Sequence, residues 1–108
     1  MRQLAREIRK PFERAQLARL RRAFPKETAT LDEQSLLLRI DVTLERAANY
    51  GVVLEPDLEL FLDCTFMMSP AFDTDRRYGW ANKILNRHEL EGTDKMSMIH
   101  DHLLFAGI

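Results

Sequence analysis

The segment LELFLDCTFMM, residues 58–68, limits the fold more than any other, because apolar residues fall on almost every face of the helix that it would form. A helix that is apolar all round is usually buried among other elements. Pro56 can occupy its first turn, and Ser69-Pro70 ends it. The segment therefore predicts a central helix that the rest of the chain has to cover.

The other segments show the three- and four-residue spacing of amphipathic helices, and no segment alternates as a strand would. The predicted inward positions are Leu4, Ile8, Phe12 and Ala15, continued by Leu17, Leu20 and Phe24; Leu37, Ile40, Leu44 and Ala47; Trp80, Ile84 and Leu85; and Met96, Ile99 and Leu103. A chain of 108 residues is long enough for one domain. We therefore predict an all-α fold, a compact bundle of four to five helices in a single domain over residues 1–108.

Proline, glycine and capping residues predict where these helices begin and end. Pro11 leaves two alternatives for residues 2–24, a bent helix or two short ones, because proline removes a helical hydrogen bond. Pro25 ends that region. Thr30 and Glu33 have the spacing of a capping box at the start of the next helix. Gly51 is the expected C-terminal cap of that helix.

Composition points to a cytoplasmic protein without a membrane segment. No apolar run reaches the roughly 20 residues that span a bilayer. The first residues lack the continuous apolar stretch of a secretory signal peptide. Cys64, the single cysteine, cannot form an internal disulfide.

Charge is distributed unevenly along the chain. Residues 1–26 contain nine Lys or Arg and two Glu, whereas the remainder contains seven basic and fifteen acidic residues. Such a basic segment can pack against its own acidic domain, bind an acidic partner protein or bind nucleic acid. Its arginines are spread around the helix and match no helix-turn-helix, basic-zipper or zinc-finger spacing, which disfavours nucleic acid.

The stretch SPAFDTDRRYGWANKIL, residues 69–85, contains Asp73-Thr74-Asp75, which invites a test for a cation site. A calcium loop that began at Asp73 would need an oxygen ligand, a glycine and a glutamate where Arg77, Tyr78 and Ile84 stand. Aspartate is also a preferred helix cap. We therefore predict that the Asp-Thr-Asp turn caps the following helix, and that Trp80 anchors this helix on the core. An ion or ligand site is the alternative.

No catalytic or cofactor motif stands out elsewhere. His100 and His102 point in different directions on a helix and cannot share a metal ion, and His88 has no companion at ligand spacing. Cys64 has no positive neighbours that would activate it. We predict no catalytic residue, no metal, no cofactor and no enzymatic activity. A small metal-dependent or hydrolytic enzyme that uses Asp73, Asp75 and a histidine is the competing hypothesis.

A set of core and turn residues resembles a known family. The set is Leu20 to Pro25, Tyr50-Gly51, Glu55 to Leu58, Phe61-Leu62, Phe66 to Met68, Phe72-Asp73, Trp80-Ala81, Ile84-Leu85, Lys95-Met96 and Ile99-His100. Over about residues 12–104 it resembles small helical proteins encoded near bacterial type VI secretion spike and effector genes. The resemblance implies a cytoplasmic adaptor, chaperone or immunity-like protein whose partner is a secreted effector or spike protein. It supplies no catalytic residues.

Arginine pairs well with carboxylates and is enriched at binding hot spots, so the basic face of residues 2–22 is the predicted partner-binding surface. The predicted contact residues are Arg14, Arg19, Arg22, Arg76 and Arg77. A small nucleic-acid-binding regulator or antitoxin is the alternative function, and a homodimer is left open.

Overall fold

A computed structural model describes the backbone of residues 2–106 and the side chains of residues 10–105. Within these residues the chain forms six α-helices, one short 3-10 helix at Arg76–Tyr78 and no strand. The α-helices are α1 (Arg2–Ala23), α2 (Pro25–Thr28), α3 (Glu33–Asn49), α4 (Glu55–Met67), α5 (Gly79–Leu85) and α6 (Gly92–Ala106). The all-α prediction is confirmed. The additional helix is α2, whose four residues are too few to show a periodic pattern.

The chain divides into two compact units, Met1–Thr43 and Leu44–Ile108. Helices α1 and α2 and the first part of α3 belong to the first unit, and all later helices belong to the second. The prediction of a single domain stays a prediction. Over the described residues, no helix combines the length and the apolar character needed to cross a membrane.

In the first unit, α1 continues through Pro11 as one helix, so the alternative of two short helices is wrong. The helix ends at Ala23, ahead of Pro25, as predicted. Arg21 fixes the turn that follows, because its guanidinium donates hydrogen bonds of 2.8 Å to the carbonyl oxygens of Thr28 and Leu31. These carbonyls lie at or after the end of α2, and the Thr28 carbonyl also accepts a hydrogen bond of 3.0 Å from the Leu31 amide.

The buried face of α1 differs from the predicted one. Glu13, Gln16 and Leu20 are buried, at spacings of three and four residues. Ala15, which we predicted to face inward, is exposed. Polar Glu13 and Gln16 occupy inward positions, so the apolar pattern alone predicts the wrong rotation of the helix. The predicted inward residues Leu4 and Ile8 lie outside the described side chains.

Helix α3 is buried along Leu36, Ile40, Leu44 and Ala47, whereas Leu37, predicted to face inward, is partly exposed. Its N-terminal cap is Asp32 and not Thr30: the Ser35 amide donates to the Asp32 carboxylate at 2.7 Å. This hydrogen bond lowers the pKa of Asp32. The predicted capping box is therefore wrong by two residues, because an aspartate nearer the helix supplies the same acceptor.

Helix α3 ends at Asn49 and is capped by Gly51, as predicted. This glycine has φ of +81°, a conformation that costs other residues strain. The Gly51 amide donates to the Ala48 carbonyl and the Val52 amide donates to the Ala47 carbonyl, both at 3.0 Å. This pair of hydrogen bonds is a Schellman motif. It satisfies carbonyls at the helix end and starts the loop that leads to α4.

The core of the second unit centres on α4, which buries Leu58, Phe61, Leu62 and Cys64. The Phe61 ring meets the Phe72 ring edge-on, with 4.9 Å between centroids. Helix α6 packs on α4 and α5, and its predicted inward residues Met96 and Ile99 are fully buried. The central position predicted for LELFLDCTFMM is thus confirmed for most of its length; at its end Met67 is half exposed.

Candidate binding sites

The three predicted arginines of α1 do not have equivalent surroundings. Arg14 and Arg22 are exposed, and their positions on an ideal helix are about 80° apart. Arg19 is partly buried, and its Nε donates a hydrogen bond to the side-chain oxygen of Gln16, which is buried. Arg14 and Arg22 therefore present their charge to solvent, while Arg19 also supports a buried amide.

Arg14 lies beside an open groove between α1 and α3 in the first unit. The groove has a volume of about 330 Å³ and is lined by Lys10, Glu13 and Arg14 from α1 and by Leu37, Leu38 and Asp41 from α3. We call these six residues the α1–α3 groove. Leu38 is 64% exposed, and Val42, one helical turn further, is 46% exposed. The groove therefore has apolar residues on α3 and charges of both signs along its sides.

Across the first unit, Arg14 forms an ion pair with Glu33, the first residue of α3. The guanidinium and the carboxylate are 3.1 Å apart, and the two side chains are 64% and 65% exposed. Water competes for both charges in such a position, so an ion pair of this kind contributes little to stability. Both groups can be redirected to a partner at small cost.

Arg76 and Arg77 lie in the second unit, and both are exposed. Arg77 donates to the Asp75 carboxylate through Nε at 3.2 Å and through Nη2 at 2.8 Å. The backbone amide of Arg77 also donates to Asp75, at 2.9 Å, so Asp75 caps the 3-10 helix as predicted. These hydrogen bonds hold the pKa of Asp75 far below its usual range, and a hydrogen bond from the Ser69 hydroxyl has a smaller effect in the same direction.

Asp73 has a different role from Asp75, which lies two residues further. It is buried, and it accepts hydrogen bonds from Arg46 Nη2 at 2.9 Å and from the Tyr50 hydroxyl at 2.9 Å. Arg46 also donates to the Pro70 carbonyl at 2.8 Å. Burial, followed by the hydrogen bond to Asp73 and its charge, raises the pKa of Tyr50 to about 12. The Asp73 carboxylate is thus already engaged in a clamp between the 69–75 loop and the end of α3.

Trp80 does not anchor α5 in the core, contrary to our prediction. It is only partly buried and stacks on His102 of α6, with 3.7 Å between ring centroids and 15° between planes. The buried residues of α5 are Ala81 and Leu85. The side-chain amide of Asn82 donates to the Asp73 carbonyl at 2.8 Å and ties α5 to the loop before it. His102 had no signal in the sequence as a partner for Trp80.

The second unit contains a larger cavity of about 560 Å³, which we call the polar pocket. The loop after α3, the start of α4 and the start of α6 contribute to it. Val53, Leu54 and Leu90 are among its apolar lining residues, and its charged ones are Asp57, Glu91 and Lys95. Val53 and Leu54 are 63% and 59% exposed. None of these residues stands out as a binding site in the sequence, because they come from three separate stretches of the chain.

Two buried charges of opposite sign line the polar pocket. Lys95 is 4% exposed, and its ammonium donates to the Tyr50 carbonyl at the end of α3, at 2.8 Å. A lysine is favourable there because carbonyls at a helix C-terminus carry partial negative charge. Asp57 is 8% exposed and accepts a hydrogen bond of 2.6 Å from the Thr93 hydroxyl. Each charged group is held in place by one defined contact.

A metal site would need several ligands close together. In the part of the chain that the structure describes, no three His, Cys, Asp or Glu side chains are grouped so that they could hold a metal ion. Cys64 is buried, and this burial raises the pKa of its thiol to about 12, which makes the thiolate scarce at neutral pH.

Comparison with protein-family models, with curated proteins and with solved structures finds no match for this chain.

Proposed function

We propose that the chain is a non-enzymatic, cytoplasmic accessory protein that binds another protein, and that this partner is a secreted effector or spike protein of a bacterial type VI secretion system. The α1–α3 groove supports binding to a protein most strongly. The type VI part of the proposal rests on the resemblance described above, which covers about residues 12–104. Adaptor, chaperone and immunity-like roles all use the same kind of contact.

The α1–α3 groove has the chemistry of a protein-binding surface. Leu38 and Val42 are exposed on one side of α3, separated by one helical turn. Charged residues line the groove together with Leu38, among them Arg14 and Asp41. Protein interfaces typically combine apolar residues at the centre with a polar and charged rim. A partner helix with apolar residues and carboxylates could bury the two apolar side chains and pair with the arginine.

Binding to nucleic acid is the second candidate, and the excess of basic residues in residues 1–26 favours it. Two observations weigh against it. Arg21 is used to hold backbone carbonyls of the same unit, so its guanidinium is already engaged. The groove beside Arg14 also contains the acidic side chains Glu13 and Asp41, which would repel phosphates.

The test is affinity purification of the tagged chain from its own cells, with and without nuclease, followed by washes at low and high salt. We expect an effector or spike protein to copurify in a stoichiometric amount and to survive nuclease. Phosphate contacts release counterions, so a complex with nucleic acid would be lost as salt rises. Recovery of nucleic acid alone, or of the chain alone as monomer or homodimer, would contradict the proposal.

Arginine variants locate the surface. Replacing Arg14, Arg19 and Arg22 together with glutamine is expected to weaken partner capture at least tenfold, since arginines at a binding hot spot contribute about 1–2 kcal/mol or more each. Arg87→Gln is the matched control, because Arg87 is also exposed and paired with a neighbouring carboxylate, that of Glu89 at 2.8 Å. Equal capture by the triple variant and the control would refute the predicted surface. A double variant, Arg76→Gln with Arg77→Gln, tests the two predicted contact residues of the second unit in the same assay.

A further inference from the structure

We infer that the polar pocket of the second unit binds a small zwitterion with an apolar side chain, such as a free apolar amino acid. This inference is independent of the proposed protein partner and of the α1–α3 groove. It rests on the two buried charges of the pocket, on its apolar lining residues and on its volume.

Lys95 supplies a site for the carboxylate of such a ligand. An ammonium group has three N–H donors, and the structure uses one of them, for the Tyr50 carbonyl. The side chain lines the pocket although it is 96% buried, being 4% exposed. A buried ammonium favours an anionic partner more strongly than an exposed one does, because less water screens it. A ligand carboxylate is therefore the natural acceptor for the remaining donors.

Asp57 supplies the complementary site for an ammonium group. One of its oxygens accepts from the Thr93 hydroxyl, and an ionised carboxylate has further acceptor positions. Glu91 adds a second acidic group to the pocket lining, and His88 and Tyr50 are the other titratable side chains there. With two acidic groups beside one lysine, a phosphate or dicarboxylate is disfavoured. A ligand with one positive and one negative charge matches the lining better.

The rest of the lining fits an apolar side chain. Val53, Leu54 and Leu90 contribute apolar surface, and Val53 and Leu54 are otherwise largely exposed to water. Covering them with a ligand would be favourable, because their apolar surface would be removed from water. The cavity of about 560 Å³ lies within the range of about 300–1,000 Å³ that is usual for small-molecule sites.

Part of the pocket wall is backbone held at a fixed position. A side chain on Gly92 would collide with the carbonyl oxygen of Gly51, so the start of α6 packs directly against the turn after α3. The Lys95 hydrogen bond joins the same two regions. Lys95 is therefore held in position before any ligand arrives, and the Thr93 hydroxyl holds Asp57. Such preorganisation lowers the entropic cost of binding.

Phenylalanine is the probe, and two analogues that each lack one charge are its controls: 2-phenylethylamine without the carboxylate and 3-phenylpropanoate without the ammonium. Each is titrated into the full chain while backbone amide resonances are followed by NMR. We expect phenylalanine to shift the amides of Gly51, Thr93 and Lys95 with a Kd of about 1 mM or tighter, and each analogue to bind at least about tenfold more weakly. Absence of these shifts, or equal affinity for the three probes, would overturn the inference.

Two variants test which residue of the pocket binds which charged group of the ligand. Lys95→Met retains a long unbranched side chain, and it should make phenylalanine bind no better than 2-phenylethylamine. Asp57→Asn should remove the advantage of phenylalanine over 3-phenylpropanoate. Lys83→Met is the matched control, because Lys83 is an exposed lysine of α5 outside the pocket. The comparison of the three probes on the unaltered chain decides the question even if a variant does not fold.

Discussion

Two arginine–carboxylate pairs, one in each unit, have nearly the same length and different surroundings. Arg14 and Glu33 are 3.1 Å apart, and both side chains are about two-thirds exposed. Arg46 and Asp73 are 2.9 Å apart, with Asp73 only 3% and Arg46 28% exposed. Judged by distance alone, the two pairs would contribute equally to stability. Burial separates them, because an exposed pair competes with water, whereas removing one partner of a buried pair leaves a charge without compensation.

This difference in burial indicates which charged groups can bind a partner without loss of stability. In the second unit the buried pair, with the Tyr50 hydroxyl, holds the 69–75 loop against the end of α3. These three side chains therefore contribute to the stability of the folded chain. In the first unit the exposed pair adjoins the α1–α3 groove and contributes little to stability. We therefore expect the first pair to matter for binding and the second for stability.

The largest expected effect comes from breaking the buried pair. Asp73→Ala removes the acceptor of Arg46 and Tyr50 and should lower the free energy of unfolding by about 3 kcal/mol. Urea denaturation, compared with the unaltered chain, measures this loss. A loss below about 1 kcal/mol, the range of exposed pairs, would show that burial does not distinguish the two pairs.

The next effect concerns the backbone contact beside the polar pocket. Gly92→Ala places a Cβ against the Gly51 carbonyl oxygen, and forcing that contact apart should cost about 2 kcal/mol. Gly79→Ala is the control, because a Cβ there meets no atom within 4 Å. We expect the control to change stability by no more than about 1 kcal/mol, in the stabilising direction typical of alanine in a helix. Thermal melts of both variants make the comparison, and equal losses would refute the close approach.

Alkaline pH should weaken the second unit through Tyr50. Its pKa is raised from 10.0 to about 12 in the folded state, so folding favours the neutral phenol. The stabilisation is complete below pH 10 and is lost as pH rises towards 12. Tyr50→Phe should make the melting temperature fall less steeply over that interval. The buried thiol of Cys64, whose pKa is also raised to about 12, accounts for part of the remaining fall. An identical pH profile for Tyr50→Phe would contradict the raised pKa of Tyr50.

The smallest effect is expected at the exposed pair. Glu33→Gln removes the charge opposite Arg14 and should change the free energy of unfolding by no more than about 0.5 kcal/mol. Urea denaturation beside Asp73→Ala measures both pairs on one scale. If Glu33→Gln lowered the free energy of unfolding as much as Asp73→Ala, the exposed pair would be needed for stability. The reason for assigning it to partner binding would then be lost.

Local patterns predicted the helices well. Apolar spacing located every helix longer than four residues, and Gly51 and Asp75 were correctly assigned as caps. Asp32 took the capping position expected of Thr30, since both residues can supply an oxygen to the first turn. The rotation of α1 was misjudged because Glu13 and Gln16 are buried polar residues.

Contacts between distant residues were beyond reach of the sequence. Asp73 lies 27 residues from Arg46, and its neighbours in the sequence suggest only a turn. Lys95 is 45 residues from the Tyr50 carbonyl that it contacts. Such pairs depend on how helices pack, which single-sequence periodicity does not specify. The polar pocket was missed for the same reason, whereas Arg14 was selected because an excess of charge is visible in the sequence itself.

Two equally exposed leucines provide the most direct test of the central claim, that the α1–α3 groove binds the partner. Leu38 is 64% exposed beside the groove, and Leu104 is 62% exposed on α6. Leu38→Asp and Leu104→Asp are compared in the affinity purification described above, after thermal melts establish that both remain folded. We expect Leu38→Asp to lose the partner and Leu104→Asp to retain it. Retention by Leu38→Asp, or loss by Leu104→Asp alone, would contradict the account.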